Sequence, residues 1–377
     1  MLLNEEQRLM QDSVRQFVRD RIAPQAEQWA KDKAVPREVL TEMGQLGLLG
    51  MTTSPEWDGA GADYVSYALA LMEVAAGDGG LSTIMSVNNA PMCAALSQQG
   101  SDAQKAEFLA PMARGEMIGA FCLTESHAGS DASAIRTRAT REGDEYVIKG
   151  SKQFITSGRI GGCALIFAVT DPSIGKRGIS AFIVHTDNPG FKVTKTEEKL
   201  GQASSDTCAL SFDNMRVPAS ALLGEEGQGY RIALGNLETG RIGIASQSVG
   251  MARAALDYAI NYAQERESMG LPIIEHQAVA FRLAEMQAKL EAARQLTLHA
   301  AALKDAGEPC LDQACMAKLV ASETAEKVCS AAIQTLGGYG YLADFPVERI
   351  YRDVRVCQIY EGTSDIQKLI ISRGLSR

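Results

Sequence analysis

The hydrophobic period of this chain changes twice, and that pattern constrains the fold more than any single residue does. Up to about residue 114 the apolar positions recur with a helical period. Leu9, Val14, Phe17, Val18 and Ile22 form one stripe, with Pro24 near the end of that first helix. A second helical run covers 36–46 and stops before Gly47, SPEWDGAGAD (54–63) reads as a loop, and 64–76 and 81–98 read as helices. Near Gly119 the texture becomes short alternating or β-branched runs: EYVIKG, CALIFAVT, ISAFIVH, FKVTKT and CALSFDNMRV, separated by Gly, Pro, Asp and Asn. From about Gln228 the helical period returns in long stretches, with Val279, Leu283, Met286 and Leu290 on one face of 274–303. The order predicts an α+β protein: an N-terminal α-helical domain (1–117), a middle antiparallel β domain of packed sheets (118–224), and a C-terminal four-helix bundle domain (225–377). A chain of 377 residues with 46% hydrophobic content can bury cores of that number.

Composition excludes several functions. A net charge of −9 with no dense basic run argues against nucleic acid. No run of about 18 apolar residues argues for a membrane span. The first residues, MLLNEEQRLMQD, lack a secretory pattern, so the expectation is a cytoplasmic bacterial protein, or a mitochondrial matrix one if a eukaryotic leader has been removed. Eight scattered cysteines without a CxxC pair, and only four histidines, predict buried thiols in a reducing compartment and no metal site.

Near the carboxyl end, IYEGTSDIQ (359–367) places Glu361 directly before Gly362, an arrangement that presents a lone acid where ligand and backbone approach closely. On residues alone, Thr363 or Ser364 could equally cap a final helix from Asp365 to about Arg373, leaving Glu361 as a solvated charge. Upstream, FCLTESHAGSD (121–131) joins an apolar run to a hydroxyl-rich turn able to offer N–H donors to an electron-rich ring or a phosphate. KGSKQFITSG (149–158) sets Phe154 beside Thr156 and Ser157 in a strand-then-turn context. With LGNLETGRIGIASQSVG (234–250), YAQERESMGLPI (262–273) and QTLGGYGY (334–341), these segments in this order resemble the acyl-CoA dehydrogenase family of flavoproteins, from about Leu2 to Arg373.

The resemblance implies FAD-dependent α,β-dehydrogenation of an acyl-CoA thioester to the trans-2-enoyl-CoA. It makes Glu361 the base that removes the α proton, with the thioester oxygen held by the Glu361 N–H and a ribityl hydroxyl of FAD. In this family the base stands either in the carboxyl-terminal motif or on the helix that here reads LETGRIG. Gly240 occupies that second place, which leaves Glu361. The resemblance assigns the flavin to Phe121, Leu123, Thr124, Gly129 and Ser130 on one side and Phe154, Ile155 and Thr156 on the other. It assigns the far half of FAD, across a subunit interface, to Arg266, Gln277, Gln334, Gly337 and Gly338, with Thr363 and Gln367 serving the first subunit's cofactor. Ser130, Glu238, Arg241 and Gly362 would meet the acyl-CoA. It further implies a homotetramer built as a dimer of dimers and an electron-transfer flavoprotein as acceptor.

Two positions depart from the family's habit, Ser126 where proline is common and Met269 where an aromatic is, and both predict modest effects on FAD affinity. IMSVNNAPM (84–92) and LETGRIGIASQ resemble short-chain, butyryl-type members, which makes short straight acyl groups the first expectation and short branched ones the alternative. An oxidase-like relative is disfavoured by chain length, a non-catalytic DNA-binding one by the acidic balance, and a nitroalkane-oxidising one by glutamate standing where aspartate would be expected.

Overall fold

The computed structural model describes residues 2–375. The first domain holds α1 (Glu5–Phe17), α2 (Ala26–Asp32), α3 (Arg37–Gln45), α4 (Tyr64–Gly77), α5 (Gly79–Val87), α6 (Ala94–Gln99), α7 (Asp102–Gln104) and α8 (Ala110–Ala113). Asn4 starts α1 through a capping box, its side chain accepting from the Gln7 N–H while the Gln7 side chain accepts from the Asn4 N–H. The buried stripe of this helix is Gln7, Gln11 and Val14, continuing to Val18 and Ile22 through a wider turn at 18–22. Leu9, expected on that stripe, is 65% exposed. Two buried glutamines take part because they serve charges: Gln11 Nε2 donates to Glu73 Oε1 at 2.6 Å, and Arg15 and Arg253 close on the same carboxylate. The pair α1–α4 is thereby tied to the last domain.

The run read as one helix over 81–98 is interrupted. Ala90 is extended (φ −139°, ψ 113°) because Pro91 follows it and disfavours helical geometry in the preceding residue. Two buried asparagines fill the break. Asn89 accepts from the Met51 N–H (2.7 Å) and donates to the Leu48 carbonyl (2.8 Å), while Asn88 donates to the Leu49 carbonyl (2.8 Å) and accepts from the Gly119 N–H (3.0 Å).

The middle domain contains β1 (Gly119–Cys122), β2 (Arg138–Glu142), β3 (Glu145–Thr156), β4 (Cys163–Val169), β5 (Ile179–His185), β6 (Phe191–Thr196) and β7 (Thr207–Pro218). They join in one seven-stranded sheet ordered β1-β4-β2-β3-β7-β6, with β5 on β4. The pairs β2–β3, β3–β7, β4–β5 and β6–β7 are antiparallel as expected, while β1–β4 and the single β2–β4 contact are parallel. A local turn cannot make such a pair, so sequential hairpin reasoning does not reach it.

In the last domain α9 (Gly229–Glu265) is the spine, followed by the two-residue strands β8 (Glu267–Ser268) and β9 (Leu271–Pro272), then α10 (Gln277–Asp305), α11 (Leu311–Leu336), α12 (Pro346–Val354) and α13 (Ser364–Gly374). Val65, Leu69 and Met72 of α4 share one core with Ile244 and Leu256 of α9, Leu290 of α10 and Val328 of α11. Among the described residues no helix is long and apolar enough to cross a membrane.

Candidate functional site

The turn between α12 and α13 carries Glu361 at φ +51° and Gly362 at φ +90°, two successive left-handed residues of which the first is not glycine. Thr363 does cap α13, its side chain accepting from the Ile366 N–H at 3.3 Å. The cap does not leave Glu361 in water. The residue is half-buried, yet its Oε2 is shielded from solvent and meets no hydrogen-bond partner. Loss of hydration pushes the carboxyl up to about 7, against the opposing charges of Lys318 and Arg241. The Glu361 N–H likewise donates to no acceptor among the described residues.

Directly opposite stands Gly240 of α9. A Cβ built on Gly240 would overlap Glu361 Oε2, so a side chain at this point of the helix and the glutamate from the turn would claim the same volume. Arg241, the next residue, is 6% exposed and its Nε lacks a partner. Glu238, a turn earlier in α9, accepts from the Cys310 thiol at 3.4 Å. One side of the carboxylate is thus the helix backbone and the other is the 359–363 turn.

Beneath Tyr360 lies a network to which all three domains contribute. The Tyr360 hydroxyl donates to Gln247 Oε1 (3.1 Å), Gln247 Nε2 donates to Ser82 and Thr83 (2.8 and 2.9 Å), and Thr83 donates to Gln202 Oε1 (2.7 Å). The Gln202 N–H donates to the Asp353 carboxylate, which Arg349 faces together with Asp78. Burial, and then Asp78, push the Asp353 carboxyl up to about 7.

The two middle-domain motifs meet in space. The Gln153 N–H donates to the Thr124 carbonyl at 2.9 Å, placing Phe154 beside the 121–131 turn. Phe154 is at φ +61° and 63% exposed, Gly129 and Ser130 are exposed, and Phe121, Thr124 and Thr156 are half-buried. Leu123 and Ile155 turn their side chains into the domain cores, and Ile155 pairs with Cys208 of β7. Sequence reasoning missed the pair that fastens these turns. Lys152 Nζ lies 2.8 Å from Glu125 Oε1 and donates to the Leu123 carbonyl at 3.0 Å, and Glu125 also accepts from the N–H groups of Arg136 and Thr137. An acid and a base flanking two turn motifs were the only signal for it.

A third feature is a groove of about 550 Å³ between α9 and the end of α11, lined by Tyr262, Arg266, Ile273, Thr335, Gly337 and Gly338. The Arg266 guanidinium lies 5.8 Å from the centre of the Tyr339 ring, and Arg266, Gln277, Gln334, Gly337 and Gly338 are all exposed. A cation on an open groove beside two glycines fits phosphate oxygens and an approaching ring. The groove lies at the end of α11, the helix that nearer its start also supports the Glu361 turn through Lys318 and Ser322. Thr363 and Gln367 stay with the turn. Gln367 is fully buried, donating to the Gly362 carbonyl at 2.9 Å.

Comparison with known proteins gives a consistent result. Family profiles described as acyl-CoA dehydrogenase N-terminal, middle and C-terminal domains match residues 4–116, 120–215 and 227–376. An acyl-CoA dehydrogenase of Bacillus subtilis is 46% identical over 100% of this chain and 99% of its own length. The human mitochondrial short-chain specific acyl-CoA dehydrogenase is 44% identical over 100% of this chain and 91% of its own. Among solved structures, butyryl-CoA dehydrogenase from Megasphaera elsdenii superposes with a TM-score of 0.96 at 39% identity, covering 100% of both chains.

Proposed function

The chain belongs to the acyl-CoA dehydrogenase family of flavoprotein oxidoreductases, and from that premise we propose that it oxidises short straight-chain acyl-CoA thioesters with Glu361 as the base. The observation that carries this reading is the shielded, unpartnered Glu361 Oε2 facing a helix position where only glycine fits. A carboxylate stripped of water and held near neutrality is suited to take a weakly acidic α proton, because its proton affinity approaches the working pH. The free Glu361 N–H points to a donor for the thioester oxygen, where negative charge develops as that proton leaves.

The cofactor fits the residues present. The exposed Phe154 and the Thr124–Ser130 turn would border the flavin ring, and Arg266 would pair with the pyrophosphate beside Gly337 and Gly338. Bound there, FAD supplies the two-electron acceptor for the hydride leaving the β carbon. The remaining work belongs to this chain: the Glu125–Lys152 pair fixes the turn, the Tyr360–Gln247–Thr83 network fixes the base loop, and α9 keeps water from the carboxylate.

Exposed apolar groups near the groove, Met269 at 94%, Tyr341 at 85% and Phe281 at 66%, suit a homotetramer in which a second subunit's flavin reaches Arg266. Electron-transfer flavoprotein is the acceptor in this reading. The short-chain and butyryl-CoA relatives favour a short acyl group. Anaerobic titration with butyryl-CoA, isobutyryl-CoA, octanoyl-CoA and palmitoyl-CoA, following flavin absorbance, tests it. Bleaching by butyryl-CoA is expected in the wild type and not in Glu361→Gln. Bleaching by a branched or longer acyl group alone overturns the chain-length assignment, and turnover by Glu361→Gln overturns the base.

A further inference from the structure

Lys318 is 0% exposed on α11, with no carboxylate in ion-pair contact among the described residues. A buried ammonium in that state is costly, and a methionine of similar length would fill the same space without the cost. Its donors show what it does instead. Nζ donates to the Cys357 carbonyl at 3.0 Å and to the Gly362 carbonyl at 2.6 Å, and these two carbonyls bracket the four residues 358–361. The bracketed segment ends on Glu361, whose left-handed backbone conformation is strained in a residue with a Cβ and persists only where its surroundings over-determine it. Gln358 is held to the same helix, donating to the Ser322 carbonyl and to Glu326.

Resting on the reading of Glu361 as the base, we propose that Lys318 is a positioning residue: its ammonium pins both ends of the base loop and supplies the positive charge against which the Glu361 carboxylate ionises. The groups facing Lys318 are Cys315 on its own helix, Cys357 and Glu361 on the loop, and Arg241 on α9. Those facing Glu361 are Lys318, Arg241 and the Tyr67 hydroxyl of α4. Both thiols and the phenol are pushed upward by burial and stay neutral near pH 7, so the charges that act on Glu361 there are the two cations. Of these, only Lys318 also bonds the loop backbone. Burial pushes the Lys318 ammonium down to about 8, above the value of about 7 for the Glu361 carboxyl, so most of its charge is in place at the midpoint of that titration.

The test compares wild type, Lys318→Met, Lys318→Gln and Glu361→Gln as FAD-loaded enzymes. Two readouts are used: the acid limb of the kcat/KM profile for butyryl-CoA, and a pH titration of the carboxylic C=O infrared band that is missing from Glu361→Gln. Lys318→Met is expected to move both midpoints upward by about one pH unit, the low end of what loss of a neighbouring opposite charge does to a carboxyl. It should lower kcat about 10-fold or more while changing KM little. Lys318→Gln, which keeps a donor without the charge, should recover part of kcat and none of the shift. If Lys318→Met does not hold flavin, Lys318→Gln decides by the same shift. Unmoved midpoints in a flavin-loaded variant overturn the proposal. Should Glu361→Gln turn over normally, the base reading fails, yet the infrared midpoint still decides whether Lys318 sets the ionisation of Glu361.

Discussion

Replacing Glu361 by glutamine should make the protein more stable as the pH rises, and the size of the gain follows from the burial of one carboxyl. In the folded chain that group is pushed from an ordinary 4.5 up to about 7, chiefly by loss of hydration. A folded-state value above the unfolded one means that the native protein holds the proton longer. The associated stability is therefore present in full below pH 4.5 and is lost as pH climbs through about 7. The span between the two values corresponds to about 3 kcal/mol. Glutamine cannot ionise and escapes this loss. The stability of Glu361→Gln minus that of wild type should rise by that amount between pH 4.5 and 7, roughly 4 °C in melting temperature if a chain of this length melts as one unit. The window stops short of the range in which Lys318 begins to lose its proton. Scanning calorimetry of both flavin-loaded proteins at half-unit pH steps measures the difference, and other titrating groups cancel in it. A flat difference across the window would refute the claim that Oε2 is desolvated.

Gly240→Ala places a methyl group where Glu361 Oε2 lies, so the carboxylate must move. Butyryl-CoA turnover should fall at least about 10-fold, because small misplacements of a reacting group are costly, while flavin content stays normal; unchanged turnover would separate Gly240 from the base. Arg266→Ala removes the cation of the open groove and should lower FAD retention through gel filtration several-fold, with added FAD restoring the bound-flavin absorbance.

The parts of this fold that were legible in the sequence are those where one local pattern decides. The long stripes of 229–336 and the β-branched runs of 145–218 leave little alternative, because burying their apolar faces requires helices and strands respectively. Leu9 misled because an apolar residue at helical spacing says nothing of which neighbours cover it, and in this helix two glutamines take the buried side. The break at Ala90 was written in Pro91 and hidden by the apolar residues on both sides. At the site, Glu361 was readable from its residues as an acid before glycine, and the family resemblance called for a poorly hydrated base with a raised pKa, but the groups that shield it were not readable. The buried charges were unreadable for a shared reason: Arg253 reaches Glu73 across 180 positions, and Lys318 bonds carbonyls 39 and 44 positions away. Nothing local to a lysine in a helix separates that arrangement from a solvated face.

The core that α4 shares with α9, α10 and α11 bears on how members of such a family can be recombined. By sequence α4 belongs to the amino-terminal third, but one of its two buried faces, with Val65, Leu69 and Met72, packs on the carboxyl-terminal helices, and Gly250 lets α9 approach its backbone closely at Met72. A chimera cut at the apparent domain borders would pair an α4 from one parent with a bundle from another and inherit a mismatched seam. Moving α4 together with the bundle would only shift the seam to its other face, where Tyr67, Leu71 and Val74 share a core with Val18, Ile22 and Leu40, so the helix binds the first and last domains into one unit of exchange.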